Sequence, residues 1–208
     1  MHMYQEKKFD IPDLKGISPK QLEVHLGLYA GYVKHVNLLR EKIHELQSAD
    51  LPAQAGAEKN AYAIAELRRR FSFEFNGMRM HEYYFSALGG SASGGERLND
   101  PQAAPSLEKA VSEKYGSWEK FIEHFKAVGM SRGIGWTILY WDPVGMTPHT
   151  VWVGDHELGH LAGLHVILAL DMWEHAYMVD YTPAEKSKYI DAFLQNINWA
   201  VPEKRMKK

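Results

Sequence analysis

The N-terminal half of the chain contains two long stretches in which apolar residues recur at helical spacing. The first stretch opens at Ser18, where Ser as N-cap, Pro19 at the first helical position and Gln21 at the third form the pattern of a capping box. The second stretch covers residues 61–88, and its apolar positions include Phe71, Phe75, Met78 and Tyr84. This pattern predicts two long antiparallel helices.

One face of the first predicted helix carries polar ring groups. His25, Tyr29 and Tyr32 are spaced i, i+4 and i+7, so they share that face. Taken alone, the face fits an amphipathic helix whose His and Tyr side chains keep their polar tips in water. His81 in the second helix, taken alone, fits an ordinary buried histidine. Taken together, the two helices would each offer one inward histidine.

The character of the chain changes at the glycine- and serine-rich residues 89–95, which interrupt any helix. Pro101 and Pro105 follow closely, so a linker is expected here. We therefore expect two domains, an N-terminal helical hairpin of residues 1–95 and a C-terminal domain of residues 96–208.

The C-terminal half contains further signals for the start of helices. Ser106 and Ser117 are predicted to be the N-caps of two helices, and the second helix is expected to cover residues 118–130. Residues 182–185, Thr-Pro-Ala-Glu, form a capping box. This box predicts a last helix that reaches to about residue 198.

Strands are predicted between these helices. A turn is expected at residues 142–145, and three runs rich in β-branched and aromatic residues predict strands at 136–141, 151–153 and 166–170. The strands are clustered and do not alternate with helices, which favours an antiparallel sheet. The predicted fold class is α+β, with a helical hairpin followed by helices around a small three-stranded antiparallel sheet.

Composition narrows the class of protein. A formal net charge of −2 gives no reason to expect nucleic acid or an acidic membrane surface as a partner. Cysteine is absent, which excludes disulfides, thiolate metal sites and thiol nucleophiles. The N-terminus lacks the apolar core of a signal peptide and the longest apolar run is too short to span a membrane, so a cytoplasmic location is expected. The 11 histidines are only a weak compositional sign of metal chemistry.

The clearest chemical signal lies where the last predicted strand ends. Asp171 directly follows the apolar run 166–170, and such a run is typical of a strand buried on both faces. An ionised carboxylate at that place is costly unless a cation or several hydrogen-bond donors meet it. A metal ion would supply that cation, and His175 follows four residues later. The alternative is that Asp171 caps a helix and His175 is an ordinary, partly buried histidine.

Residues 171–177, Asp-Met-Trp-Glu-His-Ala-Tyr, resemble the C-terminal signature of the iron/manganese superoxide dismutase family. Three further blocks match the family in order, so that the resemblance extends over about residues 17–199: 22–25 with 32–33, 80–84, and 133–137. The resemblance implies an enzyme that converts superoxide into dioxygen and hydrogen peroxide at one iron or manganese ion per chain. It also implies a homodimer or a dimer of dimers, with no nucleic-acid or membrane partner.

The resemblance assigns a ligand set and an outer layer of residues. Carried over position by position, the metal ligands would be His25, His81, Asp171 and His175. Tyr32 would be a catalytic residue at the end of the substrate channel, while Trp136 and Trp173 would wall the metal pocket. Glu174 would reach across a twofold dimer interface to His175 of the partner subunit. His156, found by counting back from the signature without gaps, would be a second catalytic residue and hydrogen-bond the metal-bound solvent.

Several positions depart from the family pattern. The spacing between His25 and Tyr32 is one residue shorter than usual, which suits a regular helix where the family has a bulge. The other departures put proton supply and electrostatic guidance in question, but not the ligands. Tyr29 lies near the place where the family has a gateway His, and Met178 replaces the Tyr that pairs with that His across the dimer. Phe85 replaces a common Trp, and Glu185 or Lys186 replaces an Arg. Gly77 is typical of manganese-type members, whereas a His at position 156 favours iron-type or metal-tolerant ones.

A competing motif begins at His156. Together with Glu157 and His160 it forms H-E-x-x-H, which on a helix would bind zinc and activate water for peptide hydrolysis. Two features weaken this interpretation, because His165 comes one residue early for the longer zinc-protease signature and two glycines make a poor helix. A third alternative is a non-catalytic metal-binding or interaction protein of the same fold.

Overall fold

The computed structural model describes residues 3–48, 53–89 and 101–207. The α-helices of these residues are α1 (Pro19–Ser48), α2 (Ala53–Phe85), α3 (Pro105–Tyr115), α4 (Trp118–Gly129), α5 (Lys186–Gln195) and α6 (Ala200–Met206). The strands are β1 (Gly135–Asp142), β2 (Thr147–Gly154) and β3 (His165–Asp171), which form one antiparallel sheet in the order β2-β1-β3. The α+β prediction is confirmed.

Helices α1 and α2 pack against each other as the predicted hairpin. The range 61–88 predicted for the second helix was wrong at both ends. Its first turns were missed because residues 53–60 are alanine-rich and polar and have no apolar stripe. At the other end the helix stops at Phe85, and Leu88 instead pairs with Ile197 in an isolated β-bridge.

The start of α1 shows why a local motif can be overridden by a tertiary contact. Ser18 acts as predicted, because its Oγ accepts the Gln21 backbone N–H at 3.0 Å. The reciprocal half of the predicted capping box is absent, since the Gln21 side chain donates to the His175 carbonyl at 2.7 Å and accepts from the Val179 N–H at 3.0 Å. Asp180 accepts the Ser18 N–H in its place at 2.6 Å. The start of α1 is thereby attached to the segment that follows β3.

The predicted caps of α3 and α4 have different outcomes. Ser117 caps α4, and its hydroxyl accepts a backbone N–H of the first turn at 3.2 Å. Ser106 was wrongly predicted as a cap, because it lies inside α3 and Ala104 is the N-cap residue. The missing cap is supplied from α6, where the Glu203 carboxylate accepts the Leu107 N–H at 2.8 Å. A carboxylate at a helix N-terminus stabilises the exposed N–H groups there.

The closing helices also differ from the prediction. The capping box of Thr182 and Glu185 is present, on a short 3₁₀ turn that leads into α5. The predicted continuation to residue 198 was wrong, because α5 ends at Gln195 and α6 is a separate helix. The chain turns at Asn196, whose side chain bonds the backbone N–H and carbonyl of Lys15 at 3.0 and 2.8 Å.

The sheet confirms the three predicted strands and extends each of them. Every residue of β1 pairs with one of β2, and the predicted turn is fixed by Asp142, whose carboxylate accepts the N–H groups of Val144 and Gly145 at 2.9 and 3.0 Å. Strand β3 is buried from Ile167 onward, as its continuous apolar run requires.

One hydrophobic core connects the hairpin, the sheet and the C-terminal helices, and both α2 and α6 contact β3. The end of β3 therefore lies against the helical hairpin. The predicted boundary at residues 89–95 falls almost entirely outside the described residues, so the division into two domains remains a prediction. Among the described residues, no helix is long and apolar enough to cross a membrane.

Candidate metal centre

Four predicted ligands from four different elements meet at the end of β3. His25 lies on α1, His81 near the end of α2, Asp171 at the last position of β3, and His175 on the 3₁₀ turn Glu174–Ala176. The carboxylate oxygen Oδ2 of Asp171 lies 3.0, 3.4 and 3.2 Å from the Nε2 atoms of His25, His81 and His175. All four potential ligand atoms lie within 4.8 Å of one another.

These distances fit the ligands of a single bound ion, and the two shorter ones also fit hydrogen bonds. Ligands held about 2.0–2.2 Å from one ion, at angles of 90–120°, lie about 3–3.7 Å apart. His81 supplies the second observation, because its Nδ1 is 2.6 Å from the Gly77 carbonyl and donates to it. Its Nε2 then carries a lone pair, and that atom is buried without a hydrogen-bond partner. A buried lone pair aimed at a carboxylate is unfavourable unless a cation lies between them.

The electrostatics of the cluster favour a neutral-imidazole ligand set. Burial lowers the pKa of His25 and lowers that of His81 well below its usual value, although Asp171 partly opposes both shifts. Burial alone would raise the pKa of Asp171, but the facing His175 and His25 rings hold it well below its usual range. The site therefore offers two neutral imidazoles, from His25 and His81, and one anionic oxygen. With the His175 nitrogen, this donor set suits iron, manganese or zinc.

A chain of hydrogen bonds lies beside the ligands, where the Tyr32 and Trp136 rings pack against His81. The indole of Trp136 donates from Nε1 to His156 Nδ1 at 2.8 Å, so the neutral His156 ring carries its hydrogen on Nε2. That Nε2 lies 2.7 Å from the Tyr32 hydroxyl and donates to it. The hydroxyl hydrogen of Tyr32 is then free for another acceptor. Both ring nitrogens of His156 are thus engaged, and the solvent contact implied by the family resemblance remains a prediction.

The walls of the site include one aromatic residue that the sequence analysis missed. Trp173 stacks on the His156 ring at 4.8 Å and on the His175 ring at 5.8 Å, and Trp136 is fully buried beside His81. Phe73 was not predicted, yet its ring lies 4.6 Å from that of His156 and 6.2 Å from that of Trp173. The available signal was the spacing of residues 73, 77 and 81, which share one helix face.

Tyr32 reaches the site because a glycine lies opposite its ring. A Cβ atom on Gly77 would lie 2.6 Å from both Cδ1 and Cε1 of Tyr32, closer than any real side chain tolerates. Helix α1 remains α-helical throughout, as the spacing between His25 and Tyr32 predicted. Burial raises the pKa of Tyr32, and the charge of Asp171 adds to this, so the phenol keeps its proton at neutral pH.

The departures from the family pattern have structural consequences. The Tyr29 hydroxyl accepts the Lys7 N–H at 2.9 Å and donates to Glu82 at 3.3 Å. Phe85 is buried and packs 4.8 Å from the His25 ring. The ammonium group of Lys186 points to the Ser131 carbonyl at 2.8 Å. Met178 and Glu174 are exposed at the surface beside His175.

The zinc-protease motif does not form its required helix. Residues 155–164 form turns and loops, and Gly159 has a φ of +105° that a helix excludes. His160 lies 2.6 Å from the Tyr140 hydroxyl through Nδ1 and 3.0 Å from the His156 carbonyl through Nε2, so both its nitrogens are occupied. Glu157 is hydrogen-bonded to Ser72. Within the described residues, the only group of three or more potential ligands is the His25, His81, Asp171 and His175 set.

A helical hairpin that shares a buried three-histidine, one-aspartate donor set with a small antiparallel sheet defines a class of mononuclear metalloprotein. Residues 102–205 match the family model for the C-terminal domain of iron/manganese superoxide dismutases. The chain therefore belongs to the iron/manganese superoxide dismutase family.

Relatives with curated names agree with this assignment. The chain is 34% identical to the iron superoxide dismutase of Aquifex aeolicus, over 100% of this chain and 93% of that protein. It is 30% identical to the iron superoxide dismutase of Sulfolobus acidocaldarius, over 98% and 96% respectively. It is also 31% identical to manganese superoxide dismutase 2 of Haloferax volcanii, over 85% and 80%. Relatives named for either metal thus match most of the chain.

Proposed function

We propose that the chain converts superoxide into dioxygen and hydrogen peroxide at one iron or manganese ion, held by His25, His81, Asp171 and His175. The observation that carries the proposal is the convergence of three imidazole nitrogens on one carboxylate oxygen at 3.0–3.4 Å in a buried site. The unpartnered Nε2 of His81 supports it, because a metal ion would satisfy that atom.

An iron or manganese ion held by His25, His81, Asp171 and His175 would supply the one-electron redox chemistry that the reaction of two superoxide anions needs. The imidazole ligands carry no charge and Asp171 carries one negative charge, so a divalent or trivalent ion would leave the site positive and attract the superoxide anion. Peroxide formation requires protons, and Tyr32 is the group poised to supply one. His156 holds the hydroxyl oxygen at 2.7 Å and leaves the hydroxyl hydrogen free to point toward the substrate.

Tyr32 and His156 are accordingly proposed as the catalytic pair, with Trp136 as the residue that positions His156 through the 2.8 Å hydrogen bond. Trp173 stacks on His156 and His175 and shields one face of each ring. A low local dielectric strengthens each interaction inside the pocket. Removing Tyr32 or His156 should change the rate and the reduction potential more than the metal content.

The test of the ligand assignment is elemental analysis of the purified protein, repeated on two histidine variants. His81→Ala should lose iron or manganese, whereas His160→Ala should retain it, because His160 bonds only Tyr140 and a backbone carbonyl. Metal lost only in His160→Ala would overturn the assignment in favour of the zinc-protease motif. An assay of superoxide consumption separates a catalyst from a non-catalytic metal-binding protein.

We further propose that the chain acts as a homodimer, or a dimer of dimers, in the cytoplasm. The exposed carboxylate of Glu174 lies next to His175, whose side chain is 19% exposed. A bridge from Glu174 to His175 of the partner subunit would cover the exposed part of the His175 side chain in each of the two subunits. Analytical ultracentrifugation tests this, since Glu174→Ala should weaken the dimer while a change of the exposed Glu45 should not. Cell fractionation tests the location.

A further inference from the structure

A second site lies on the outer side of α2, away from the faces that carry His81. It is a cleft of about 570 Å³ lined by residues from the segment before α1, from α2, from the start of β3 and from α6. We call it the basic cleft and define it by its polar side chains: Lys7, Arg79, Glu82, His165 and Arg205. Three of these are permanent cations and only one is a carboxylate.

The single carboxylate of the basic cleft is already saturated. Its Oε2 atom accepts from Lys7 Nζ at 2.6 Å and from Arg79 at 2.7 Å, while Oε1 accepts from the Tyr29 hydroxyl at 3.3 Å. Glu82 therefore balances one of the two neighbouring cations and has little capacity for another. Lys7 and Arg79 together leave one positive charge at the cleft.

Arg205 adds a second uncompensated charge. Its guanidinium donates to the carbonyls of Ile167 and Tyr83 at 2.8 and 3.1 Å and to the Ser86 hydroxyl at 2.6 Å, and no carboxylate of the described residues pairs with it. Burial lowers the pKa of Arg205 to about 10, which reflects the cost of a cation without a counter-ion. Three of its five N–H groups are used, so two remain for a ligand.

His165 also lines the basic cleft, and its Nδ1 has no hydrogen-bond partner among the described residues. That atom is buried, so the charge of the cleft comes from Lys7, Arg79 and Arg205. An oxyanion in the cleft would neutralise the two uncompensated charges.

We propose that the basic cleft binds a small phosphate-bearing molecule. The cations of the cleft come from three parts of the chain, the segment before α1, α2 and α6, and ammonium and guanidinium groups are common partners of phosphate oxygens. The Arg205 guanidinium lies 4.8 Å above the Tyr83 ring, so the cleft also has an aromatic wall for the rest of the molecule. The site is separate from the one at which superoxide would react.

The experiment is isothermal titration calorimetry, in which inorganic phosphate is added to the metal-loaded protein and the affinity is measured. Sodium chloride holds the ionic strength constant. Arg205→Gln should weaken binding about tenfold, because a charged hydrogen-bonding partner is lost. Lys7→Gln should weaken it about threefold, and this variant should fold normally because the Lys7 side chain is 56% exposed. Lys109→Gln is the matched control, since it removes the same charge from a 76% exposed position on α3, and it should not change the affinity.

Several outcomes would overturn the proposal. One is the absence of measurable heat from phosphate with the unmodified protein. Another is an equal loss of affinity in Lys7→Gln and Lys109→Gln, which would show only the effect of overall charge. Succinate binding as tightly as phosphate would overturn the phosphate class. Should Arg205→Gln fail to fold, Lys7→Gln and the succinate titration still decide the question.

Discussion

Replacing Trp136 by Phe removes a single hydrogen bond whose loss should alter both stability and catalysis. The indole is fully buried and donates to His156 Nδ1 at 2.8 Å. Without that donor, no local group fixes which His156 nitrogen carries the hydrogen. If the hydrogen moves to Nδ1, the Nε2 atom becomes an acceptor and captures the hydroxyl hydrogen of Tyr32, which would otherwise face the substrate.

The expected change in unfolding free energy follows from two contributions. A buried polar atom left without a partner costs about 1–3 kcal/mol. The smaller ring leaves roughly 40 Å³ empty, which costs about 1 kcal/mol at about 24 cal/mol per Å³. The free energy of unfolding should therefore fall by about 2–4 kcal/mol. Trp173→Phe is the matched control, because its Nε1 makes only a 3.4 Å contact with the Asp155 carbonyl and the ring is partly exposed.

Both variants should be compared by urea unfolding and by steady-state superoxide consumption, with metal content equalised by elemental analysis. Trp136→Phe should lose at least 1 kcal/mol more stability than Trp173→Phe, because only Trp136→Phe leaves a fully buried polar atom, His156 Nδ1, without its partner, at a cost of about 1–3 kcal/mol. Its kcat should fall at unchanged metal content. Equal destabilisation of the two variants, or an unaltered kcat for Trp136→Phe, would refute the argument that Trp136 sets the tautomer of His156.

Three further predictions follow from single contacts. Gly77→Ala places a Cβ 2.6 Å from the Tyr32 ring, so it should cost about 1–3 kcal/mol in chemical denaturation and lower kcat, despite the better helix propensity of alanine. Burial lowers the pKa of His156 to about 4; since its unfolded pKa is near 6.5, the unfolded chain binds more protons as the pH falls. The contribution of His156 to stability should therefore drop by about 2 kcal/mol from pH 7 to 5. Unfolding measured at each pH should show a dependence that is shallower by that amount in His156→Gln, while the buried His25 and His81 keep their own contributions. Thr182→Ala breaks the capping box with Glu185 and should lower stability by about 1 kcal/mol, seen as a lower Tm, whereas a Tm equal to that of the unmodified protein would contradict the role of the cap.

The family resemblance and the local patterns together predicted the elements and the ligand set. The continuous apolar run before Asp171 indicated a buried strand that ends in a charge, and the structure places that carboxylate at 0% exposure. Ser117 and Thr182 act as predicted because a cap depends on residues within one turn. The helix range 61–88 was less accurate, since a helix can extend beyond the apolar positions that pack against the core.

Other features depended on partners far away in the sequence. Gln21 had a local role available to it but bonds the His175 carbonyl, and the N-terminus of α3 is capped by Glu203. The His156 ring illustrates the same effect, because only the positions of Trp136 and Tyr32 in space decide which nitrogen donates.

The sequence by itself determined which side chains could bind a metal ion and where along the helices and strands those side chains lie. Only the tertiary structure decided which atoms face one another: the free Nε2 of His81, the free hydroxyl hydrogen of Tyr32, and the cations of residues 7, 79 and 205 around one cleft. The physical reason is that periodicity and capping act within a few residues. Hydrogen-bond direction and charge balance depend instead on packing between segments that the chain brings together only on folding.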